Sequence, residues 1–82
     1  MIDNVIVTVC AENQAFSTDM ELPAQFPVRD LAPKLLETLK EIAPGKFKSM
    51  EKATLIYDGK ILSEDATLES ETVWDGKTLF VR

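Results

Sequence analysis

The stretch LIYDGKILSEDATLESETVWDGKTLFV, residues 55–81, decides the fold of this chain. It begins with a short β-branched and aromatic run, reaches an Asp-Gly pair at 58–59, and returns in a second short apolar run. Asp-Gly between two such runs is typical of a tight hairpin turn. An irregular acidic segment follows, and we expect its leucine, Leu68, to anchor it in the core. A second Asp-Gly pair at 75–76 introduces the last predicted strand, KTLFVR.

The segment before this stretch begins with a predicted hairpin. Residues 4–10, NVIVTVC, are rich in β-branched side chains and predict a strand. Residues 11–15, AENQA, predict a turn, and residues 16–22 alternate between apolar and polar side chains, which indicates a second strand. Neighbouring strands of this kind pair most simply as an antiparallel hairpin. Pro23 ends the second strand, because proline has no N–H to donate to a ladder.

The hydrophobic period then changes from two residues to that of a helix. One apolar stripe is formed by Val28, Leu31, Leu35, Leu39 and Ile42. Because a proline ring clashes with the carbonyl four residues before it, we expect Pro33 to divide this segment into a first turn at 28–32 and a helix over 33–43. A Pro-Gly pair at 44–45 ends the helix. Residues 46–52, KFKSMEK, predict a solvated loop with three lysines.

The composition excludes several classes of function for this chain. The chain has 82 residues, which is enough for one domain, and we expect residues 1–82 to form it. The net charge of −5 argues against nucleic acid or an anionic membrane surface as a partner. Without histidine and with one cysteine, the chain offers no Cys/His zinc site, no Ser-His or Cys-His pair and no internal disulfide. We therefore expect a non-enzymatic protein with no catalytic residues, no metal and no cofactor. No apolar run is long enough to form a signal core or to cross a bilayer, so we also expect a cytoplasmic protein.

The same stretch resembles the second half of ubiquitin without a gap. The shared positions are Leu55-Ile56 before an aromatic residue, Gly59-Lys60, Leu62, Thr67-Leu68, Val73, Thr78-Leu79 and Val81. The resemblance implies an α+β β-grasp fold: a mixed sheet of four to five strands, with the last strand inserted centrally and one amphipathic helix packed on one face. Periodicity alone does not give that strand order.

The helix entry resembles a narrower family within this superfamily. ELPAQFPVRDLAPKLLETL, residues 21–39, is similar to the YukD/EsaB-like proteins and to the ubiquitin-like domain of the large membrane component of type VII secretion systems. This resemblance implies a bacterial accessory or regulatory protein of type VII (ESX-like) secretion. Its expected partner is a protein, the cytosolic part of that machinery, reached without membrane insertion; weak self-association is left open.

Four residues are predicted to bind that partner: Ile56, Lys60, Trp74 and Arg82. Ile56 alternates with Leu55 and Tyr57, so we expect it to face solvent, where the matching ubiquitin position centres a binding patch. Arg82 stands where ubiquitin has an apolar residue. For Trp74 two interpretations stay open, an exposed anchor or packing against Leu68. An exposed β-branched strand residue such as Ile56 also has a purely structural explanation.

Two other functions compete with secretion. One is a protein modifier or sulfur carrier, which needs a slim activated tail; the sequence ends at Arg82 without Gly-Gly, so we expect no conjugation. The other is a regulatory ubiquitin-like domain of a longer protein. For the secretion hypothesis, the expected docking surface is a rigid sheet face or an exposed edge strand, and an edge strand can add to a partner sheet through backbone hydrogen bonds.

Overall fold

The structure is a computed structural model that describes residues 3–11 and 15–82. Its elements are β1 (Asn4–Ala11), β2 (Phe16–Pro23), α1 (Val28–Ile42), α2 (Pro44–Phe47), β3 (Leu55–Tyr57), β4 (Lys60–Ile61) and β5 (Thr78–Val81). The predicted turn at 11–15 falls mostly on residues 12–14, which lie outside the described residues.

The five strands form one mixed sheet in the order β2-β1-β5-β3-β4. β1 pairs antiparallel with β2 and parallel with β5, and β5 pairs antiparallel with β3. The last strand of the chain therefore lies in the middle of the sheet, which confirms the β-grasp arrangement. To reach that place the chain crosses from β4 along an irregular segment, which fully buried Leu68 and Val73 anchor in the core.

The core lies between α1 and the inner face of the sheet. From α1 it receives the buried side chains Val28, Leu31, Ala32, Leu35, Leu36 and Leu39. From the three central strands it receives Val5, Val7, Val9, Leu55, Leu79 and Val81. These alternate strand positions and the helical stripe are those that the periodicity predicts, with one exception. Ile42, placed in the stripe by its spacing, is 52% exposed at the last residue of α1.

The predicted interruption of the helix at Pro33 is wrong. α1 continues through Pro33 from Val28 to Ile42. Its first turn is held from outside, because the Val28 N–H donates to the Ala66 carbonyl at 2.8 Å and the Arg29 N–H to the Glu64 carbonyl at 3.1 Å. These loop carbonyls satisfy N–H groups that have no partner within a helix. The loss of one hydrogen bond at Pro33 is therefore offset by a first turn that the loop already fixes.

The solvated loop predicted for 46–52 is also wrong in part. Its first residues form α2, and the Phe47 side chain is fully buried. The Phe47 ring meets the Phe16 ring edge to face, with centroids 5.4 Å apart and planes at 89°. Phe47 thus closes the core beneath the C-terminal end of α1 and the start of β2.

Both Asp-Gly pairs form the turns that the sequence predicts. Asp58 and Gly59 have φ of 53° and 77°, and two successive positive φ angles are the signature of the hairpin turn that joins β3 to β4. Gly76 has a φ of 84°, and its N–H donates to the Ile6 carbonyl at 2.9 Å. The second turn therefore ties the approach to β5 directly to β1.

Candidate protein-interaction surface

The face of the sheet turned away from α1 carries a row of apolar side chains across four strands. The register places Cys10 of β1 beside Phe80 of β5, Phe80 beside Ile56 of β3, and Ile56 beside Ile61 of β4. Directly opposed residues share a face, with Cβ atoms about 4.5–5.5 Å apart. We call Cys10, Phe80, Ile56 and Ile61 the outer row.

Ile56 occupies the middle of the outer row but is only 9% exposed. Its predicted face is confirmed, since it alternates with the core residue Leu55 and stands outside the core cluster. Its predicted exposure to solvent is wrong. Ile56 is covered because the larger Phe80 ring lies on one side of it and Ile61 on the other. Neighbours on a sheet face cover a central side chain.

The exposed apolar area lies at the ends of this face. Ile61, at the edge strand β4, is 63% exposed, and Ile6 of β1 is also exposed. Cys10 and Phe80 are intermediate. A partner that covers this face would therefore gain most of its buried apolar area at Ile61 and Ile6, with Ile56 as a rigid floor.

Lys60 and Arg82, two of the predicted binding residues, lie on different faces. Lys60 opposes Tyr57, which packs against the core, so it projects from the face opposite to the outer row. Its Nζ lies 3.2 Å from Glu71 Oε1. Arg82 is exposed, and its N–H donates to the Thr54 carbonyl at 3.0 Å while its carbonyl accepts from the Thr54 N–H at 2.9 Å. By alternation Arg82 shares the face of Phe80.

Trp74 is exposed in the segment that leads into β5, beside the fully buried Val73. This placement favours the exposed interpretation over packing against Leu68. The next residue fixes the segment, because Asp75 Oδ1 accepts the Ile6 N–H at 2.7 Å. Trp74 is thus held near the start of β1, at the Ile6 end of the outer face. The structure brings Ile56 and Arg82 onto one face, places Trp74 at its end, and separates Lys60 from them.

Acidic side chains flank the outer face along β2. Asp19 accepts a hydrogen bond from Thr8 Oγ1 at 2.7 Å, and Glu21 accepts one from Asn4 Nδ2 at 2.9 Å. In the described ranges, ion pairs join Arg29 to Asp65 and Lys60 to Glu71 only. In the part of the chain that the structure describes, no cation therefore forms an ion pair with the carboxylates of β2.

A groove of about 570 Å³ runs between β2 and α1. Buried Leu22, Leu31 and Leu35 lie at its base, and exposed Phe26 and Ile42 stand on its rim. The Lys34 ammonium lies 5.3 Å from the centroid of the Phe26 ring, over the rim of the same groove. A second recess of about 310 Å³ lies between the start of α1 and the β3–β4 hairpin.

Sequence reasoning missed Phe80, Ile61 and Ile6 as surface residues, and it missed the groove. The signal for Phe80 was present, because Leu79 and Val81 share the buried face and Phe80 lies between them. The same alternation places Ile6 opposite to Val5 and Val7. The groove had no signal, since its two walls are far apart in sequence and its rim residues look like ordinary core residues.

Within residues 3–11 and 15–82, no group of three or more His, Cys, Asp or Glu side chains is arranged to hold a metal ion. Across the same ranges, no helix has the length and apolar character that crossing a membrane requires.

The chain matches a protein-family sequence model over residues 4–81, nearly its whole length. That family is described as "WXG100 protein secretion system (Wss), protein YukD". Among curated proteins none matches the chain significantly.

Solved structures of secretion components have the same fold. A chain of the ESX-5 inner membrane complex superposes with a TM-score of 0.83 at 23% identity, over 99% of this chain and 21% of that chain. The ubiquitin-like domain of the Mycobacterium tuberculosis type VII secretion protein EccD1 gives 0.78 at 21% identity, with 98% of each chain covered. Protomer 1 of the ESX-3 core complex gives 0.66 at 29% identity, over 96% of this chain and 16% of that chain. The present chain thus spans about a fifth of the ESX-5 component and less of the ESX-3 component.

Proposed function

Because the chain belongs to the YukD family of the WXG100 secretion system, we propose that it is a ubiquitin-like protein-interaction module of that secretion machinery. It acts by docking on a cytoplasmic surface of the machinery and not by catalysis. The family match over residues 4–81 is the observation that carries this proposal. The likeness to a chain of the ESX-5 inner membrane complex supports a partner within such a complex.

The outer face is the surface that supports docking best. Its floor is rigid, because Ile56 sits between two strands, and its exposed apolar groups are Ile61 and Ile6. Buried aromatic and aliphatic anchors with a polar rim are typical of protein interfaces. Arg82 and Trp74 are proposed to contribute at the two ends of this face. Lys60, on the other face beside Glu71, is proposed to act only with a partner that also reaches that side.

The test is a secretion assay in the host. We expect deletion of the gene to change export of the small helical WXG100-type substrates and the wild-type gene to restore it. The variant Ile61→Asp places a charge in the outer row at an exposed position, so it should fold and fail to restore export. Ser49→Asp adds the same charge at an exposed site after α2 and should restore it. Unchanged export in the deletion strain contradicts the proposed function.

A further inference from the structure

Among the residues that the structure describes, none pairs with the backbone groups along most of the free edge of β2. Alternate residues of β1 form backbone hydrogen bonds with β5 and the segment before it. The Thr8 N–H donates to the Lys77 carbonyl at 2.9 Å, and the Ile6 carbonyl accepts from the Gly76 N–H at 2.9 Å. Backbone groups of successive strand residues point to opposite sides, so the other residues of β1 bond to β2. These are Val5, Val7 and Val9.

The register identifies which residues of β2 point outward. Val5, Val7 and Val9 oppose Leu22, Met20 and Thr18, which are therefore the residues that bond to β1. The N–H and C=O groups of the intervening residues, Ser17, Asp19 and Glu21, point away from the sheet. No loop among the described residues bonds to them. An exposed edge of this length is a template for an added strand.

Side chains on the two faces of this edge differ in chemistry. On the outer face Asp19 and Glu21 present carboxylates with neutral hydrogen-bond donors and no cation beside them among residues 3–11 and 15–82. On the other face the strand borders the groove with Leu22, Leu31 and Leu35 at its base. A strand added to β2 would place alternate residues beside the carboxylates and the intervening residues over the groove.

The groove favours apolar residues at its base and rim, although Asn4, Glu21 and Thr38 also line it. Exposed Phe26 and Ile42 on its rim offer apolar surface that a partner would cover. Lys34, held over the Phe26 ring, gives the rim a positive charge that opposes entry of a basic side chain. Basic residues are therefore directed to the outer face, where the charge of β2 attracts them.

We propose that β2 and the groove beside it bind an extended segment of a partner protein in which apolar residues alternate with lysine or arginine. This inference rests on the proposed function and names the chemistry of one partner segment. A second copy of this chain fits the edge poorly, because pairing of two β2 edges would bring the carboxylates of both copies onto one ribbon face. Like charges across a strand pair are destabilising.

The test uses the purified protein and two synthetic peptides, acetylated and amidated: KVKVKVK and EVEVEVE. Titration followed by backbone amide NMR shifts gives both the affinity and the location. We expect KVKVKVK to bind at least about fivefold more tightly than EVEVEVE. Its lysines attract the carboxylates of β2, whereas the glutamates of EVEVEVE repel them. The shifts should centre on β2 and on the α1 residues that line the groove.

Charge reversal on the edge distinguishes this site from general attraction to an acidic protein. Asp19→Lys/Glu21→Lys should reverse the preference, so that EVEVEVE binds more tightly than KVKVKVK. Glu37→Lys/Glu51→Lys makes the same change in net charge at two exposed positions outside β2 and the groove, and should keep the original preference. Thermal unfolding of both variants checks that each is folded.

Three results would overturn the inference: equal affinity for the two peptides, shifts centred on another surface, or formation of a β2-mediated dimer in place of peptide binding. The secretion assay is separate from these measurements. Loss of export on deletion, together with absent peptide binding, overturns the inference and leaves the proposed function standing. Selective peptide binding together with unchanged export overturns the proposed function.

Discussion

The substitution Phe47→Leu tests the packing that sequence reasoning missed. It keeps an apolar side chain of similar size but removes the edge-to-face contact with Phe16, whose ring centroid lies 5.4 Å away. Aromatic pairs contribute about 0.5–1.5 kcal/mol beyond their buried area, and a change of shape in a packed core costs about 1 kcal/mol more. We therefore expect the free energy of unfolding to fall by about 1.5–2.5 kcal/mol.

This loss leaves a folded protein that can be measured. At about 0.05–0.15 kcal/mol per residue, an 82-residue domain has a stability of about 4–12 kcal/mol. A loss of about 1.5 kcal/mol lowers Tm by at least about 6 °C in a domain of this size. Guanidinium unfolding followed by fluorescence of the single tryptophan, Trp74, gives the free energy directly.

A matched variant separates the stability cost of losing a buried ring from that of losing an exposed one. Phe26→Leu removes an exposed ring on the groove rim and should cost at most about 1 kcal/mol, the strength of an exposed cation–π contact with Lys34. A double-mutant cycle of Phe47→Leu with Phe16→Leu should return a coupling of about 0.5–1.5 kcal/mol. If Phe47→Leu changes stability by less than about 0.5 kcal/mol, the ring does not fill the core and the loop is solvated, as the sequence pattern predicts.

Substitutions at three further residues test the contacts that hold the irregular segments. Asp75→Ala removes the acceptor of the Ile6 N–H and should lower the free energy of unfolding by about 1–3 kcal/mol, whereas Asp75→Asn keeps an acceptor and should lose less; chemical unfolding compares the two. Leu68→Ala creates a cavity at a fully buried site and should cost about 2–5 kcal/mol in the same assay. Arg29→Met breaks an ion pair with Asp65 whose side chains are 55% and 85% exposed, and thermal unfolding should show a change of at most about 1 kcal/mol.

The fold was predictable where local pattern and resemblance agree. Alternation in β1 and β2, the apolar stripe of α1 and the two Asp-Gly turns each give a local signal, and the structure confirms them. The central position of β5 has no local signal, because pairing of distant strands leaves no periodicity. It followed only from the ordered series of glycines, leucines and Thr-Leu that resembles ubiquitin.

The errors have one physical cause, which is that distant segments supply partners a local pattern cannot include. Pro33 is tolerated because carbonyls from the loop after β4 cap the first turn of α1. Phe47 is buried because Phe16, on another element, offers its ring edge to face. Ile56 is covered by Phe80 and Ile61 of neighbouring strands. In each case the local sequence pattern is compatible with two structures, and contacts with distant segments determine which of the two forms.

Surface chemistry, more than the fold, separates the functions open to such a domain. The ubiquitin-like fold by itself assigns no partner. The features of this chain that bear on a partner are the apolar groups across the outer face, the carboxylates along β2 and the groove behind that edge. Under the two proposals above, the outer face suits a folded surface, while the edge of β2 suits an extended segment. The two surfaces can therefore be tested separately, because a charge in the outer row and a charge reversal on β2 act on different parts of the sheet.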